Sequence, residues 1–123
     1  MLNFLRTRPA QGQGAQMTPA EAIKGAQAGD VTVIDVRDVN EVSMTGKARG
    51  AIHIPLMMLR FQADPRHPDF HPDLDTSKPV AVYCASGARS QMATQMLRQM
   101  GFESVHNIGG LSHWSAAGGE IER

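Results

Sequence analysis

Cysteine is almost absent from this sequence: Cys84 is the single one among 123 residues. An intramolecular disulfide is thereby excluded, and with it the disulfide-stapled secreted scaffolds; dithiol chemistry would need a thiol from another molecule, and a reduced, cytoplasmic setting is expected. A dominant charge is also lacking. Twelve Lys plus Arg balance twelve Asp plus Glu, so no broad electrostatic footprint for nucleic acid or an acidic membrane is expected. No apolar run approaches the ~20 residues that a membrane span requires. The opening run Met1 to Leu5 is shorter than a secretory core, and Arg6 and Arg8 follow it rather than precede it, so no signal peptide is expected. Residues 1–16, with Gly12 and Gly14 set among glutamines, have the composition of a flexible lead-in.

What is present suffices for one domain with a real core, at 41% hydrophobic and 20% charged residues. Thr18-Pro19-Ala20-Glu21 carries a cap, a first-turn proline and a capping-box glutamate, predicting a helix that Gly29-Asp30 stops after Ala28. Val31 to Val36 is β-branched with almost no polar interruption, which suits a strand buried on both faces and hence a parallel sheet. Asp38 and Glu41 form a second capping box for a short helix that Gly46 ends. Gly50 to Pro55 predicts a brief strand and Leu56 to Phe61 one or two helical turns. Pro65, Pro68, Pro72 and Pro79 make Gln62 to Pro79 a long surface loop. Pro79 to Tyr83 is a second buried strand. After it, Met92, Met96 and Met100 recur every fourth residue beside Ala93 and Leu97, predicting a helix ended by Gly101, with the methionines in the core. Phe102 to Ile108 predicts a last strand, Gly109-Gly110 a turn, Leu111 to Ala117 a final helix, and 120–123 a C-terminal tail. Alternating strands and helices over residues 17–119 predict a three-layer α/β fold, with a mainly parallel central sheet flanked by helices.

The chemistry concentrates where the strand Val80-Ala-Val-Tyr-Cys84 passes through Ala85, Ser86, Gly87, Ala88, Arg89 and Ser90 into a helix. Ligands of open α/β sheets bind beyond the carboxyl ends of strands, where Cys84 stands. A loop curled around its sulfur would aim the backbone N–H groups of residues 85 to 90 and the helix N-terminus at it. Such a nest favours a negative group and lowers the thiol pKa from about 8.5. Gly87 supplies the positive φ that a tight loop needs. Arg89 is expected to hold an oxyanion, its bland alternative being a solvated first-turn arginine, and Ser86 and Ser90 offer hydroxyl donors. A merely buried, inert Cys84 fits less well, because a core cysteine requires no Gly-Arg-Ser loop after it.

Four ordered motifs carry a resemblance: Asp35-Val-Arg37 with Glu41; Gly50-Ala-Ile-His-Ile-Pro55; Tyr83 with the loop Cys84 to Ser90; and Gly109-Gly-Leu-Ser-His-Trp114. In this order, over about residues 17 to 119, the chain resembles the rhodanese-like sulfurtransferase domains. The resemblance implies that Cys84 attacks the outer sulfur of a small donor such as thiosulfate and holds it as a persulfide. Cyanide, a thiol or a protein sulfur acceptor would then receive it, without metal or organic cofactor. The loop Ala85 to Arg89 would cradle the sulfur. Asp35 and Arg37 match the family's D-x-R, which leaves Arg37 either as a second basic contact at the rim or as a structural ion pair with Asp35 or Glu41. Trp114 is expected to pack the last helix, with His113 its exposed neighbour. Lys47 and Arg49 replace the usual His and Pro, and the segment from Gln62 to Thr76 departs from the helix common there.

Three rivals stand beside this. A cysteine phosphatase or arsenate reductase of the same fold would place five residues between Cys and Arg, whereas only residues 85 to 88 intervene here. A persulfide carrier or interaction module acting within a complex would use the same Cys84. Asp64, His67, Asp69, His71 and Asp73 cluster as metal-ligand types, but Pro65, Pro68 and Pro72 break the helix that would align the histidines, so a solvated loop is expected.

Overall fold

The computed structural model describes residues 16–123. The lead-in expected over residues 1–16 lies outside the described residues except for Gln16, whose side-chain amide donates to the Asn107 carbonyl at 2.9 Å.

Helix α1 (Pro19–Gln27) starts at Thr18, and both halves of its capping box form: the Thr18 hydroxyl accepts from the Glu21 N–H and the Glu21 carboxylate from the Thr18 N–H. Strand β1 (Thr32–Asp35) follows, then α2 (Val39–Thr45), β2 (Lys47–Ala48) and β3 (Ile52–His53). A 3-10 turn at Leu56–Met58 leads into α3 (Leu59–Gln62), and the proline-rich stretch to Pro79 has no helix or strand. Then come β4 (Val80–Cys84), α4 (Ala88–Gln99), β5 (Val105–Gly110), α5 (Leu111–Ala116) and β6 (Ile121–Glu122). The central sheet has the order β3-β1-β4-β5, all parallel, so every strand delivers its carboxyl end to one edge.

β1 and β4 are buried throughout, and their alternation separates two cores. Ile34, Val80, Val82 and Cys84 face Leu59, Ala93 and Leu97 on one side. Val33, Ala81 and Tyr83 face Ala22 and Trp114 on the other. The fold is thus three-layer α/β, with helices on both faces of a parallel sheet.

Three expectations are corrected. Met92 is 55% exposed, and Met96 and Met100 only border the core; Ser90, Ala93, Thr94 and Leu97 form the buried face of α4. Each four-residue step overshoots a helical turn by about 40°, so a strictly four-spaced row winds off any single face. Gly109-Gly110 do not form a free turn but complete β5. The register there shifts, Val82 pairing with Asn107 and Cys84 with Gly110, which inserts one extra residue in β5 beside Cys84. Residues 120–123 are no loose tail: β6 pairs antiparallel with β2, and the Glu120 carbonyl accepts from the Trp114 indole N–H at 2.9 Å. Lys47 and Arg49 find their role in this attachment. Lys47 pairs with Glu122 and donates to the Ala51 carbonyl at 2.7 Å, while Arg49 pairs with Glu120.

Candidate active site

Cys84 ends β4 at the carboxyl edge of the sheet and is fully buried, while Ala85, Ser86 and Ala88 behind it are small and exposed. The chain reverses at Gly87, whose φ of 106° is the left-handed conformation that glycine tolerates, and α4 begins at the next residue. Gly87 is the N-cap yet has no side chain to satisfy the free amides of the first turn. The Cys84 sulfur takes that place. It accepts from the Gly87 N–H at 3.0 Å and the Ser90 N–H at 3.4 Å, and the Ser90 hydroxyl lies at 3.4 Å. Burial alone would push the thiol pKa up. The Ser90 hydroxyl and N–H, with the N–H groups of Gly87 and Ser86, oppose this and bring the net shift below the ordinary thiol value. Of the two serines expected as hydroxyl donors, Ser90 points inward and Ser86 is exposed.

Asn107 is a site residue that the sequence reasoning missed. Its Nδ2 donates to the Gly87 carbonyl at 3.0 Å, and its Oδ1 accepts from the Gly109 N–H at 2.9 Å and the Ser90 hydroxyl at 2.7 Å. The available signal was an asparagine late in the strand segment Val105-His106-Asn107-Ile108, just ahead of two glycines. Gly110 also touches the loop: a Cβ there would stand 2.2 Å from the Ala85 carbonyl oxygen, so only glycine lets β5 approach. A groove of about 540 Å³ runs along the outer side of the loop, lined by Met17, Ser86, Gly87, Gln91, Asn107 and His113 among others. His113 is exposed, as expected, and its Nδ1 accepts from the Gly110 N–H at 2.9 Å.

Arg89 is not the free oxyanion clamp expected of it. Its guanidinium makes two hydrogen bonds to the Glu41 carboxylate, at 2.6 and 2.8 Å, which ties the loop to α2. Chiefly through Arg89, and with help from the Asp38 N–H, the Glu41 pKa is lowered to about 2. Arg37 is likewise not at the rim. It is buried and grips Asp35 through Nε and Nη2, with bonds to Thr45 Oγ1 at 2.8 Å and the Gly46 carbonyl at 2.6 Å. The Tyr83 hydroxyl donates to Asp35 at 2.5 Å and accepts from the Ala48 N–H at 2.8 Å; burial and the Asp35 carboxylate together push its pKa far up. Asp35, Arg37 and Tyr83 form one buried brace on the face of the sheet opposite the sulfur. Of the acidic and histidine cluster, His67 and His71 accept from the N–H groups of Asp69 and Asp73, and Asp64 pairs with Arg66. Among the described residues no three metal-ligating side chains converge.

The comparisons with known proteins agree with this architecture. Residues 18–117 match the family model of the rhodanese-like domain. The chain belongs to the rhodanese-like domain family. This rhodanese-like domain is 31% identical over 102 residues to the thiosulfate sulfurtransferase GlpE of Coxiella burnetii, covering 82% of this chain and 87% of that one. It is 34% identical over 97 residues to the tRNA uridine(34) hydroxylase of Teredinibacter turnerae; the match takes in 79% of this chain but 29% of the hydroxylase, so the domain spans under a third of that relative. Among solved structures, a Rhodopseudomonas palustris protein of unknown function, described as a possible tyrosine phosphatase, superposes with a TM-score of 0.76 at 32% identity. The superposition covers 98% of this chain and 100% of that one. The relatives of this rhodanese-like domain thus include sulfurtransferases and a tRNA-modifying enzyme.

Proposed function

We propose that this domain transfers sulfane sulfur from a small donor such as thiosulfate to cyanide or a thiol, with Cys84 as the nucleophile. The observation that carries this reading is the amide cradle: the Gly87 and Ser90 N–H groups aimed at one buried sulfur at the edge of a parallel sheet. In the first step the Cys84 thiolate attacks the outer sulfur of thiosulfate. A new S–S bond forms, the bond to the sulfonate sulfur breaks, and sulfite leaves with the electron pair. In the second, cyanide attacks the terminal sulfur and leaves as thiocyanate, or a thiolate leaves as a persulfide, and the Cys84 thiolate returns. The cradle can stabilise a monoanion throughout, as thiolate before the first step and as persulfide after it, so little reorganisation accompanies the charge.

Because Cys84 is the single cysteine, no second thiol of this chain can take up the sulfur, and the acceptor is another molecule, either a small thiol or a protein thiol. A protein acceptor would make the domain a carrier within a complex by the same chemistry. The four residues between Cys84 and Arg89 favour a single-atom anion over the larger phosphate of a phosphatase. A lone reactive thiol of this kind works in a reducing setting such as the cytoplasm. The test is intact-protein mass spectrometry after incubation with thiosulfate, with sulfite release followed in parallel. One added sulfur atom on the Cys84 peptide is expected, with none in Cys84→Ser. Sulfur transfer retained by Cys84→Ser, or none by the native chain from thiosulfate or a low-molecular-weight persulfide, overturns the proposal.

A further inference from the structure

The Ser90 hydroxyl sits among more acceptors than it can serve. Within 3.5 Å of its oxygen lie Asn107 Oδ1 at 2.7 Å, the Gly87 carbonyl at 3.1 Å, the Cys84 sulfur at 3.4 Å and the Gly109 carbonyl at 3.5 Å. The hydroxyl has one proton to donate. The orientation of the Asn107 amide follows from its neighbours: the Gly109 N–H requires the oxygen on its side, which leaves Nδ2 for the Gly87 carbonyl.

We propose that Asn107 is a positioning residue that reserves the Ser90 hydroxyl proton for the Cys84 sulfur. With the sulfur protonated, the S–H donates to Ser90 Oγ and the Ser90 proton rests on Asn107 Oδ1. When the thiol proton leaves to solvent, the hydroxyl turns and donates to the thiolate. Asn107 makes this turn inexpensive in two ways. Its Oδ1 keeps the Gly109 N–H after the hydroxyl departs, so no half-buried acceptor is left bare. Its Nδ2 already occupies the Gly87 carbonyl, the competing acceptor nearest the hydroxyl on the loop itself. Asn107 pairs with Val82 as the last regular pair before the register shift, which sets this amide beside the loop that follows Cys84. Asn107 acts through Ser90 and touches neither the sulfur nor a donor. The inference rests on the sulfurtransferase reading only in taking the Cys84 thiolate as the reacting species.

The experiment is a pH titration of the Cys84 thiolate by its ultraviolet absorbance, with Cys84→Ser as the blank. The single cysteine makes the signal unique, and the single tyrosine, Tyr83, is pushed well above its usual range by burial and by Asp35. Four proteins are compared: native, Asn107→Ala, Ser90→Ala and the double variant. In Asn107→Ala the Gly87 carbonyl, left with the Gln91 N–H alone and one acceptor site open, should capture the hydroxyl, raising the thiol midpoint by about one pH unit, the scale of one hydrogen bond to a charged group. Ser90→Ala should raise it by a similar amount, and adding Asn107→Ala to Ser90→Ala should move it no further. A cooperative thermal transition in each variant checks the fold. Equal shifts from Asn107→Ala with and without Ser90 would mean that Asn107 only stiffens the loop, and an unmoved midpoint in either single variant would overturn the proposal as well. Sulfur loading of the native chain tests the underlying function separately, since the titration needs no donor.

Discussion

Replacing Gly110 by alanine probes the link between the sheet and the sulfur more sharply than any change in the loop. Gly110 lies in β5, on the strand beside Cys84, and an added Cβ would stand 2.2 Å from the Ala85 carbonyl oxygen and 2.9 Å from its carbon. Both are backbone atoms, so no side chain can swing aside, and relief requires the loop to move by about 1 Å. That displacement would carry the Gly87 N–H from 3.0 Å to about 4 Å from the sulfur, the outer limit of a hydrogen bond to sulfur, and so break the bond. Losing one donor to an anionic acceptor corresponds to about 1.5–3 kcal/mol, which raises the thiol midpoint by one to two pH units. Overpacking itself should lower stability by about 1–3 kcal/mol. The expected outcome is a folded variant with a lower melting temperature, a thiol titrating above its native midpoint, and sulfur uptake from thiosulfate slowed about tenfold or more at neutral pH. Thiolate titration and stopped-flow sulfite release would measure both. A Gly110→Ala protein with native midpoint and native rate would show that the amide cradle does not set the reactivity of Cys84.

Further outcomes are expected elsewhere. Glu41→Gln should free Arg89, lowering the KM for dianionic thiosulfate in a manner that high salt suppresses, at a stability cost of about 1 kcal/mol or less for this part-exposed pair; an unchanged KM would separate Arg89 from donor binding. The Glu41 pKa is depressed to about 2, so its contribution to stability is fully present above the unfolded carboxylate value of about 4.3 and is lost as pH falls toward 2. Urea unfolding of native protein and Glu41→Gln should therefore converge in acid, and parallel curves would refute the pairing. Tyr83→Phe strips Asp35 of a donor and leaves the buried Ala48 N–H bare, for a loss of about 2–3 kcal/mol by urea unfolding; a loss under about 1 kcal/mol would refute the brace. Because the Cys84 pKa is lowered, alkylation should persist below the free-thiol range near pH 8.5, and a midpoint at or above that value would contradict the geometry.

The local pattern of the chain was enough to place the sulfur. The β-branched runs around Val33 and Val82, buried on both faces, implied a parallel sheet, and Gly87 followed by an amphipathic segment implied a tight turn into a helix; these depend on neighbours a few residues away, so sequence determines them. The partners of the charged and polar groups were decided only by the tertiary structure. Arg89 bonds Glu41 across 48 residues, and Tyr83 bonds Asp35 across the same separation. Asn107 reaches Gly87 only because β5 pairs beside β4 in the register that sets it opposite Val82. Hydrogen bonds between distant residues depend on which strands lie side by side and in what register, and one chain's local periodicity carries no information about register. The Met92 row fails for a related reason: spacing gives a period, while the face that is buried is chosen by the sheet against which the helix comes to rest.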